Sequence, residues 1–375
     1  MNRKSVLVYI VNDIIFFKNH FLPVALYFSK TYNLSIVSNR IDFEIKNKYP
    51  EIKQYIAPIY RTSINPIIDL KLIYHLTGLI NKIKPDIIHN ITIKPILFGS
   101  FAVKIINPNI KIINSVTGLG YAITNNHFFI KSIMQILIRL FVSKKSHFLF
   151  LNKHDKTFYN KLGKGLNQNF TMIKGSGVDH YEFQYQKPLK KDKIEIIFTG
   201  RILYDKGVIN LIDAINLLPL SIKAKIILKL YGSIDVQNPA HIKKKQIENY
   251  LAPGFIEWYG FTSEIKKVIS RSDVYCLPSY REGIPKSTIE AMAIGRPILT
   301  TEAPGCEDTV EQGVNGFKVP VGNVMALSEK LQILIEDEPL RIQMGKQSRE
   351  IFEKNYTLEK VIKQTFEVYA QVLRN

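Results

Sequence analysis

The chain has 375 residues, of which 46% are hydrophobic and 22% are charged, and its formal net charge at pH 7 is +19. This balance is typical of globular proteins and excludes a disordered or fibrous chain, while the length favours two domains or one large domain. The two cysteines, Cys276 and Cys306, are too few for a disulfide framework and show no zinc-binding spacing, so a reducing compartment is expected.

The positive charge is concentrated in the amino-terminal half. Residues 1–180 carry 24 basic and 8 acidic side chains, whereas residues 181–375 carry 27 basic and 24 acidic ones. A basic half beside a nearly neutral one indicates a domain that faces a polyanion, namely nucleic acid, anionic lipid or a phosphorylated substrate. The alternative is a lysine-rich composition that only improves solubility.

Short apolar runs alternate with longer segments of helical periodicity along the chain. Most runs are rich in Val and Ile throughout, which is typical of parallel strands covered on both faces. The predicted strands are Ser5–Val11, Leu34–Ser38, Asp86–His89, Lys111–Val116, His147–Leu151, Phe170–Ile173, Ile194–Thr199, Lys225–Tyr231, Glu257–Tyr259, Asp273–Leu277 and Pro297–Thr300. Segments such as Pro66–Lys84, Asn210–Leu218 and Met325–Glu336 predict crossover helices between them. The pattern predicts an α/β protein with two doubly wound, Rossmann-like domains.

The predicted domain boundary lies in a flexible, polar part of the chain. Lys174–Gly177 is a glycine-rich bend, and Gln184–Lys193 is Lys-rich and suits a linker. We therefore expect an amino-terminal domain over residues 1–180 and a carboxyl-terminal domain over residues 181–355. Residues 356–375 predict an amphipathic helix that packs back on the first domain. Two such domains facing a central cleft would bind ligands at the carboxyl ends of their strands.

The sequence predicts neither a signal peptide nor a membrane span. The apolar run Ser5–Val11 resembles the opening of a signal peptide, but Asn12 and Asp13 interrupt it and no small-residue cleavage site follows. The stretch Phe128–Val142 contains two basic residues and falls short of the roughly 18 apolar residues that a span requires. We expect a protein that is soluble or bound at the membrane periphery.

A basic amphipathic segment spans Asn126–Lys145. Its bulky apolar residues are interleaved with Lys131, Arg139, Lys144 and Lys145, which suits a helix lying in a membrane interface. The pattern also fits a crossover helix packed against the core, and the pattern alone favours that alternative.

The first constellation that could carry chemistry follows the strand Ile194–Thr199. Gly200 and Arg201 come directly after the strand, and Lys206-Gly207 opens the next helix. The two cations would lie above the carboxyl end of the strand, beside a helix N-terminus that itself favours an anion. Such an arrangement suits a diphosphate, because Arg can form two parallel hydrogen bonds and Lys adds a point charge. Two unrelated surface cations are the alternative.

The second constellation spans Arg281–Ala293. Gly283 permits a tight turn, and Pro285 suits the first turn of a helix. Glu290 lies inside that helix among apolar residues, so it is expected either to be exposed or to bind a ligand, such as the hydroxyls of a ribose. Glu282, by contrast, could be explained by the helix dipole.

The spacing of Glu282 and Glu290 argues against a hydrolase. Eight helical positions would separate the two backbones by about 12 Å. The paired carboxyl groups of glycosidases lie roughly 5–9.5 Å apart. The spacing better suits two carboxylates that contact separate parts of one elongated ligand.

Taken together, these residues resemble the family-4 retaining glycosyltransferases, which have the GT-B fold of two Rossmann-like domains. The matching set comprises Gly200-Arg201, Lys206-Gly207, the Glu282 and Glu290 pair, Gly295–Thr301, Ala303–Cys306 and Asn315–Phe317. The resemblance implies that Arg201 and Lys206 bind the diphosphate of the donor, that Glu282 lies by the transferred sugar, and that Glu290 holds the nucleotide ribose. It also implies that Gly200, Gly283, Ile284 and Pro285 complete the donor site.

The amino-terminal half resembles a narrower branch, the bacillosaminide-type N-acetylgalactosaminyltransferases that act on polyprenyl-diphosphate-linked saccharides. The segments that carry this resemblance are Asn12–Pro23, Asp86–Pro95 and Ser115–Tyr121. The chain departs from many family-4 enzymes in two places: Asn12-Asp13 replaces a Gly-Gly loop, and Thr117–Gly120 stands where relatives have a His. The backbone-plus-His arrangement of those relatives is therefore not expected here.

The resemblance implies an acceptor or sugar pocket in the amino-terminal domain. The residues assigned to it are Asn12, His89, Lys94, Thr117, Gly118 and Gly120. Two alternatives stay open, because Gly118-x-Gly120 could be a plain turn and His89 a structural group with satisfied hydrogen bonds.

No metal or other cofactor is expected. Asp42-Phe43-Glu44 and Glu336-Asp337-Glu338 are the nearest acidic groups, and both are predicted in polar loops away from the motifs. Arg201 and Lys206 would then stabilise the departing diphosphate in place of a metal ion.

The sequence thus predicts a glycosyltransferase that moves a sugar, expected to be an N-acetylhexosamine, from a UDP-sugar to a lipid-linked saccharide. Its products would be precursors of O-antigen, capsule or glycoprotein glycans, and its place would be the cytoplasmic side of the inner membrane. One alternative is a related enzyme that acts on a soluble acceptor. The other is a basic nucleic-acid-binding protein, although no nucleic-acid motif is present.

Overall fold

The computed structural model describes residues 3–60, 65–118, 128–163, 169–252 and 254–374. The chain forms two compact units, which we call the amino-terminal unit (residues 1–176 and 361–375) and the carboxyl-terminal unit (residues 177–360). Gly175 and Gly177, on either side of the first division, have φ angles of 78° and 72°. Such angles are readily adopted only by glycine, which explains why the bend between the units is glycine-rich.

The amino-terminal unit contains a seven-stranded parallel sheet. Its strand order is β3-β2-β1-β4-β5-β6-β7. The strands are β1 (Val6–Val11), β2 (Asn33–Ser38), β3 (Lys53–Ile56), β4 (Ile87–Ile91), β5 (Lys111–Val116), β6 (His147–Phe150) and β7 (Phe170–Met172). The central strands are almost wholly buried, as their continuous Val/Ile runs predict.

Helices cover this sheet on both faces. They are α1 (Ile14–His20), α2 (Leu22–Ser29), α3 (Phe43–Lys48), α4 (Pro66–Ile83), a π-helical turn (Pro95–Gly99), α5 (Ser100–Ile106), α6 (Phe128–Phe141) and α7 (Lys153–Leu162). α4 begins where the sequence specifies a start, because the Asn65 side chain accepts a hydrogen bond from Ile67 N and Pro66 occupies the first turn.

The carboxyl-terminal unit contains a six-stranded parallel sheet with the order β10-β9-β8-β11-β12-β13. Its strands are β8 (Ile194–Thr199), β9 (Ile226–Tyr231), β10 (Ile256–Trp258), β11 (Val274–Leu277), β12 (Ile298–Thr301) and β13 (Gly316–Val319). Its helices are a 3-10 turn (Tyr204–Lys206), α8 (Val208–Leu217), α9 (Leu220–Lys223), α10 (Lys244–Glu248), α11 (Ile265–Arg271), α12 (Lys286–Ile294), a second 3-10 turn (Glu307–Thr309), α13 (Val324–Glu336) and α14 (Glu338–Asn355). The predicted fold class, two Rossmann-like α/β domains, is confirmed.

The last helix, α15 (Leu358–Arg374), returns to the amino-terminal unit. Tyr369 is fully buried there, 4.8 Å from Phe28 between ring centroids, and its hydroxyl lies 2.9 Å from the hydroxyl of Tyr9 on β1. Among the described residues, no helix combines the length and apolar composition needed to cross a bilayer.

Candidate active site

The first predicted motif lies at the carboxyl end of β8. The chain leaves this strand through Gly200 and Arg201 and makes the 3-10 turn Tyr204–Lys206. At Gly207, where α8 begins, φ is 68° and a Cβ atom would overlap the carbonyl oxygen of Pro278. Glycine is required at this position, because the loop after β11 packs directly against the backbone.

Arg201 is held by a carboxylate that the sequence analysis did not identify. Its Nη1 lies 2.6 Å from Oδ2 of Asp235, on the loop after β9, while 38% of the Arg201 side chain remains exposed. Asp235 follows the strand next to β8 in the sheet. The position of Asp235 just beyond a strand end could have indicated a site residue. An acidic side chain, however, is not expected in a site that binds an anion.

Lys206 forms an ion pair with Glu282, so residues of the two predicted motifs meet. Both side chains are largely buried, 18% and 13% exposed respectively. The backbone of Glu282 is fixed by donating from its N–H to the carbonyl of Pro304 at 2.9 Å. A Cβ atom on Gly305 would overlap the carbonyls of Glu282 and Gly283, so this glycine also allows the two loops to touch.

Asp205 joins the same cluster, and sequence reasoning missed it. Its backbone carbonyl accepts hydrogen bonds from Tyr280 N at 2.8 Å and Ser279 Oγ at 2.9 Å, which fastens the first motif loop to the second. Burial raises the pKa of the Asp205 carboxyl, and the positive charges of Lys206 and Arg201 oppose that rise. The negative charge of Glu282 adds to the rise, so Asp205 lies within electrostatic reach of the other three charged groups.

Glu290 lies inside α12 and is only 6% exposed. The sequence predicts that Glu290 is either exposed or bound to a ligand, and the predicted exposure is wrong. Instead its Oε1 lies 3.6 Å from Nζ of Lys286, one helical turn earlier, a spacing that was visible in the sequence. Burial nevertheless raises the pKa of Glu290 to about 7, with Lys286 opposing the rise.

Hydroxyl groups from β8, β11 and the start of α12 form hydrogen bonds with one another. Tyr275 on β11 is buried, and its hydroxyl donates to Ser287 Oγ at 2.7 Å and lies 3.2 Å from Thr199 Oγ1 at the end of β8. Pro285 precedes the helix in the N-cap position rather than lying in its first turn. Ile284 is buried, and Gly283 is partly exposed.

The residues predicted for an acceptor pocket are less uniform. Asn12 follows β1, and Thr117 and Gly118 follow β5, all partly exposed at the carboxyl edge of the first sheet. Lys94 forms an ion pair with Asp69 Oδ1 at 2.7 Å. Gly120 lies outside the described residues.

His89 is placed in the interior, which favours its structural alternative over a pocket role. The residue is 2% exposed, with Nδ1 2.7 Å from the hydroxyl of Tyr369 and Nε2 2.6 Å from Ser115 Oγ. Burial lowers its pKa to about 3, so it is neutral at physiological pH and occupied by structural hydrogen bonds on both nitrogens.

The acidic groups considered for metal binding have structural roles. Asp42 caps α3 and Asp337 caps α14, each accepting a backbone N–H, so these residues begin helices rather than lying in loops as predicted. Within the described ranges, one unpredicted group brings three ligand atoms within 4.8 Å of one another: Asp179, His180 and Glu359. It adjoins the two points where the chain passes between the units.

Comparison with known proteins gives a family for each half of the chain. Residues 180–351 match the family model for glycosyl transferases group 1, and residues 13–152 match the model for glycosyl transferase 4-like proteins. The N,N'-diacetylbacillosaminyl-diphospho-undecaprenol alpha-1,3-N-acetylgalactosaminyltransferase of Campylobacter jejuni is 26% identical over 86% of this chain and 87% of its own length. CapM of Staphylococcus aureus, a capsular polysaccharide biosynthesis glycosyltransferase, is 27% identical over 86% of this chain and 88% of its own.

Solved structures agree with the fold. HepE of Anabaena, in complex with UDP and glucose, has a TM-score of 0.79 at 16% identity, over 98% of this chain and all of its own. WaaG, a glycosyltransferase involved in lipopolysaccharide biosynthesis, has a TM-score of 0.75 at 13% identity, over 96% of this chain and 98% of its own. The predicted GT-B fold and the predicted glycosyltransferase relationship are both confirmed.

Proposed function

From the premise that this chain is a glycosyltransferase, with a glycosyl transferase 4-like segment followed by a group 1 segment, we propose its reaction. It moves a sugar, an N-acetylhexosamine, from a UDP-sugar to a polyprenyl-diphosphate-linked saccharide and retains the anomeric configuration. The observation that carries the proposal is the cluster of Arg201, Lys206 and Glu282 at the carboxyl edge of the second sheet.

The cluster suits a ligand that combines a diphosphate with a sugar. Arg201 and Lys206 supply two positive charges for the diphosphate, each held by a carboxylate in the structure. When the donor binds, Lys206 exchanges the Glu282 carboxylate for phosphate oxygens, and Glu282 becomes able to accept hydrogen bonds from sugar hydroxyls. Glu290 would accept hydrogen bonds from the ribose.

The proposed chemistry needs no group beyond these residues and the donor itself. The bond between the sugar C1 and the diphosphate oxygen breaks, and a bond forms between C1 and the acceptor oxygen. The departing diphosphate takes the proton of the acceptor hydroxyl, while Arg201 and Lys206 stabilise the negative charge that develops on it. We propose that no metal ion takes part.

The acceptor is inferred from the relatives and from charge. The C. jejuni relative carries diphospho-undecaprenol in its name, and CapM is named for capsular polysaccharide biosynthesis. An acceptor of that class is anionic, which suits the 24 basic against 8 acidic side chains of residues 1–180. Asn12, Lys94, Thr117 and Gly118 are the proposed residues of its pocket.

Exposed apolar side chains support a peripheral membrane position on the cytoplasmic leaflet. On α4 they form a stripe of Ile67, Leu70 and Tyr74, which are 65%, 66% and 78% exposed. On α6 they form a second stripe of Ile133, Ile136 and Leu140, each 57% exposed. α5 packs beside both helices, and buried residues of both belong to one core cluster, so the two helices cover the same part of the sheet. We call these six residues the apolar stripes and propose that they enter the interface of an anionic bilayer.

A panel of UDP-sugars against matched acceptors tests the proposed reaction. Each donor is offered with a polyprenyl-diphosphate saccharide and with the same saccharide as a soluble glycoside, and products are detected by mass spectrometry. We expect transfer from a UDP-N-acetylhexosamine to the lipid-linked acceptor, with retention visible in the NMR coupling of the new linkage. Preference for the soluble glycoside would favour the alternative acceptor class, and an inverted product would refute retention.

A further inference from the structure

One residue of the amino-terminal unit has a backbone conformation that its side chain disfavours. Thr92 directly follows β4 and has a φ of 74°. Among the described residues, Lys84 is the other non-glycine residue with positive φ, and it ends α4 as a left-handed cap, a common role. Thr92 is β-branched and has no such role, so its conformation is strained and must be imposed by its surroundings.

The surroundings that impose it are backbone hydrogen bonds. Thr92 N donates to the carbonyl of Ser115 on β5 at 3.2 Å, and Ile96 N donates to the carbonyl of Thr92 at 3.0 Å. Residues 93 and 94 are helical and lead into the π-helical turn Pro95–Gly99, and such turns are frequent at functional sites. Strain held in this way at the carboxyl edge of a Rossmann-like sheet is typical of a ligand-binding position.

The Thr92 hydroxyl has unused hydrogen-bonding capacity. Its Oγ1 is buried and has no hydrogen-bond partner among the described residues. A buried hydroxyl without a partner is costly, so it indicates a missing ligand or water. The residue as a whole is only partly buried, and rotation about χ1 can turn the hydroxyl toward the surface.

Lys94 supplies a positive charge two residues later. Its side chain is 15% exposed, and its ammonium pairs with Asp69 Oδ1 at 2.7 Å. An ammonium has three donors, so this contact orients Lys94 without using its full capacity. Thr117 and the glycine after it, Gly118 with a φ of 130°, lie at the end of the neighbouring strand β5.

We propose that Thr92 and Lys94 bind a phosphate oxygen of the diphosphate in the lipid-linked acceptor. The Thr92 hydroxyl donates a hydrogen bond to this oxygen, and Lys94 neutralises its charge. The inference deepens the proposed function, on which the identity of the ligand rests. It separates the acceptor's diphosphate, held by the amino-terminal unit, from the donor's diphosphate, assigned to Arg201 and Lys206.

Direct binding of a soluble prenyl diphosphate tests this without requiring turnover. Calorimetry with farnesyl diphosphate is carried out in the presence of saturating UDP, which occupies the donor site. We expect Thr92→Val and Lys94→Met each to weaken binding at least tenfold, and Thr92→Ser, which keeps the hydroxyl, to stay within about threefold of the wild type. Lys30→Met, an exposed lysine of the same unit, serves as the control, and farnesol, which lacks the diphosphate, should not discriminate between the variants.

The outcomes distinguish this inference from the proposed reaction. If farnesyl diphosphate binds equally to the wild type, Thr92→Val and Lys94→Met, or if the variants lower UDP affinity instead, the inference is wrong even when sugar transfer is observed. If binding depends on both residues but no sugar is transferred, the site stands and the proposed reaction fails. Thermal unfolding of each variant checks folding, and Lys94→Met carries the test if Thr92→Val does not fold.

Discussion

Burial changes the acidity of Glu290, the residue proposed to hold the donor ribose. Its carboxyl is removed from water with Lys286 as its nearest positive charge, and burial raises its pKa to about 7. Glu182 adds negative charge nearby, while Lys286 opposes it. The hydroxyls of a ribose would favour the ionised form by donating hydrogen bonds to it, and would therefore lower this pKa.

This coupling predicts that donor affinity depends on pH. Because the pKa of Glu290 is about 7 in the free protein and lower in the complex, binding releases a proton below pH 7. Affinity for UDP-N-acetylglucosamine should rise between pH 6 and about pH 7 and level off above it. Glu290→Gln should abolish the pH dependence and weaken binding about 10- to 100-fold. Calorimetry in two buffers of different ionisation enthalpy measures the proton release, and an unchanged pH profile in the variant would contradict the assignment.

His89 and Tyr369, by contrast, are polar residues whose buried hydrogen bonds stabilise the fold. The Tyr369 hydroxyl contacts both His89 Nδ1 and the Tyr9 hydroxyl inside the amino-terminal unit. The apolar run around His89 was readable from the sequence, but its partner was not, because Tyr369 lies 280 residues away.

Removing that hydroxyl should destabilise the protein. Tyr369→Phe leaves two buried polar groups without this partner, so we expect the free energy of unfolding to fall by about 1–3 kcal/mol in urea titrations. Tyr32→Phe, at another buried tyrosine of the same cluster, should change it by less than about 0.5 kcal/mol. Equal effects of the two substitutions would show that the hydrogen bonds contribute nothing specific.

At the scale of elements, the sequence predicts those strands that contain a continuous apolar run. The strands β5 and β8 were predicted with their observed bounds, because their Val/Ile runs end at polar or glycine residues. The edge strands β3 and β13 were missed, because they are short and half-exposed and so carry no such run. The contact between Lys206 and Glu282 could not be derived from spacing, since it depends on two loops from separate strands.

The glycine at position 305 tests the packing of those loops. Gly305 and Gly313 have φ angles of 79° and 76°, but an added Cβ would overlap the Glu282–Gly283 backbone only at Gly305 and meets nothing within 4 Å at Gly313. Both alanine variants therefore carry a similar backbone strain. We expect Gly305→Ala to weaken UDP-sugar binding at least tenfold by displacing Glu282, and Gly313→Ala to leave it unchanged. Equal binding by the two variants would contradict the packing argument.

For the whole molecule, the proposed membrane position rests on the distribution of charge and of exposed apolar side chains. The excess of basic residues in the first 180 positions was readable from the sequence. The apolar stripes are only partly predictable from the sequence, because the pattern indicates an amphipathic segment at α6 alone and favours core packing for it. In the structure α6 packs against the core through Ile138, which is buried, while Ile133, Ile136 and Leu140 are exposed.

Vesicle sedimentation tests the membrane proposal. The protein should bind vesicles that contain anionic phosphatidylglycerol and should not bind purely zwitterionic vesicles, because each cation near an anionic surface contributes about 1 kcal/mol to binding. Binding should weaken as the salt concentration rises. Replacing Ile133, Ile136 and Leu140 by serine should weaken binding at least tenfold. Serine at Leu220 and Val236, which are 81% and 73% exposed in the other unit, should have no effect. Binding that is insensitive to the first set would rule out the apolar stripes as the contact.

The most direct test of the proposed donor site compares two ion pairs of similar burial in the carboxyl-terminal unit. Lys206–Glu282 lies at the carboxyl edge of the second sheet, whereas Lys229–Glu195 involves the second residue of β8, at the opposite end of that strand. The measurement is acceptor-dependent UDP release by Glu282→Ala, Arg201→Ala and Glu195→Ala, with unfolding curves to establish that each is folded. We predict losses of at least 100-fold for the first two and nearly wild-type rates for Glu195→Ala. Near wild-type release by folded Glu282→Ala and Arg201→Ala would contradict the account.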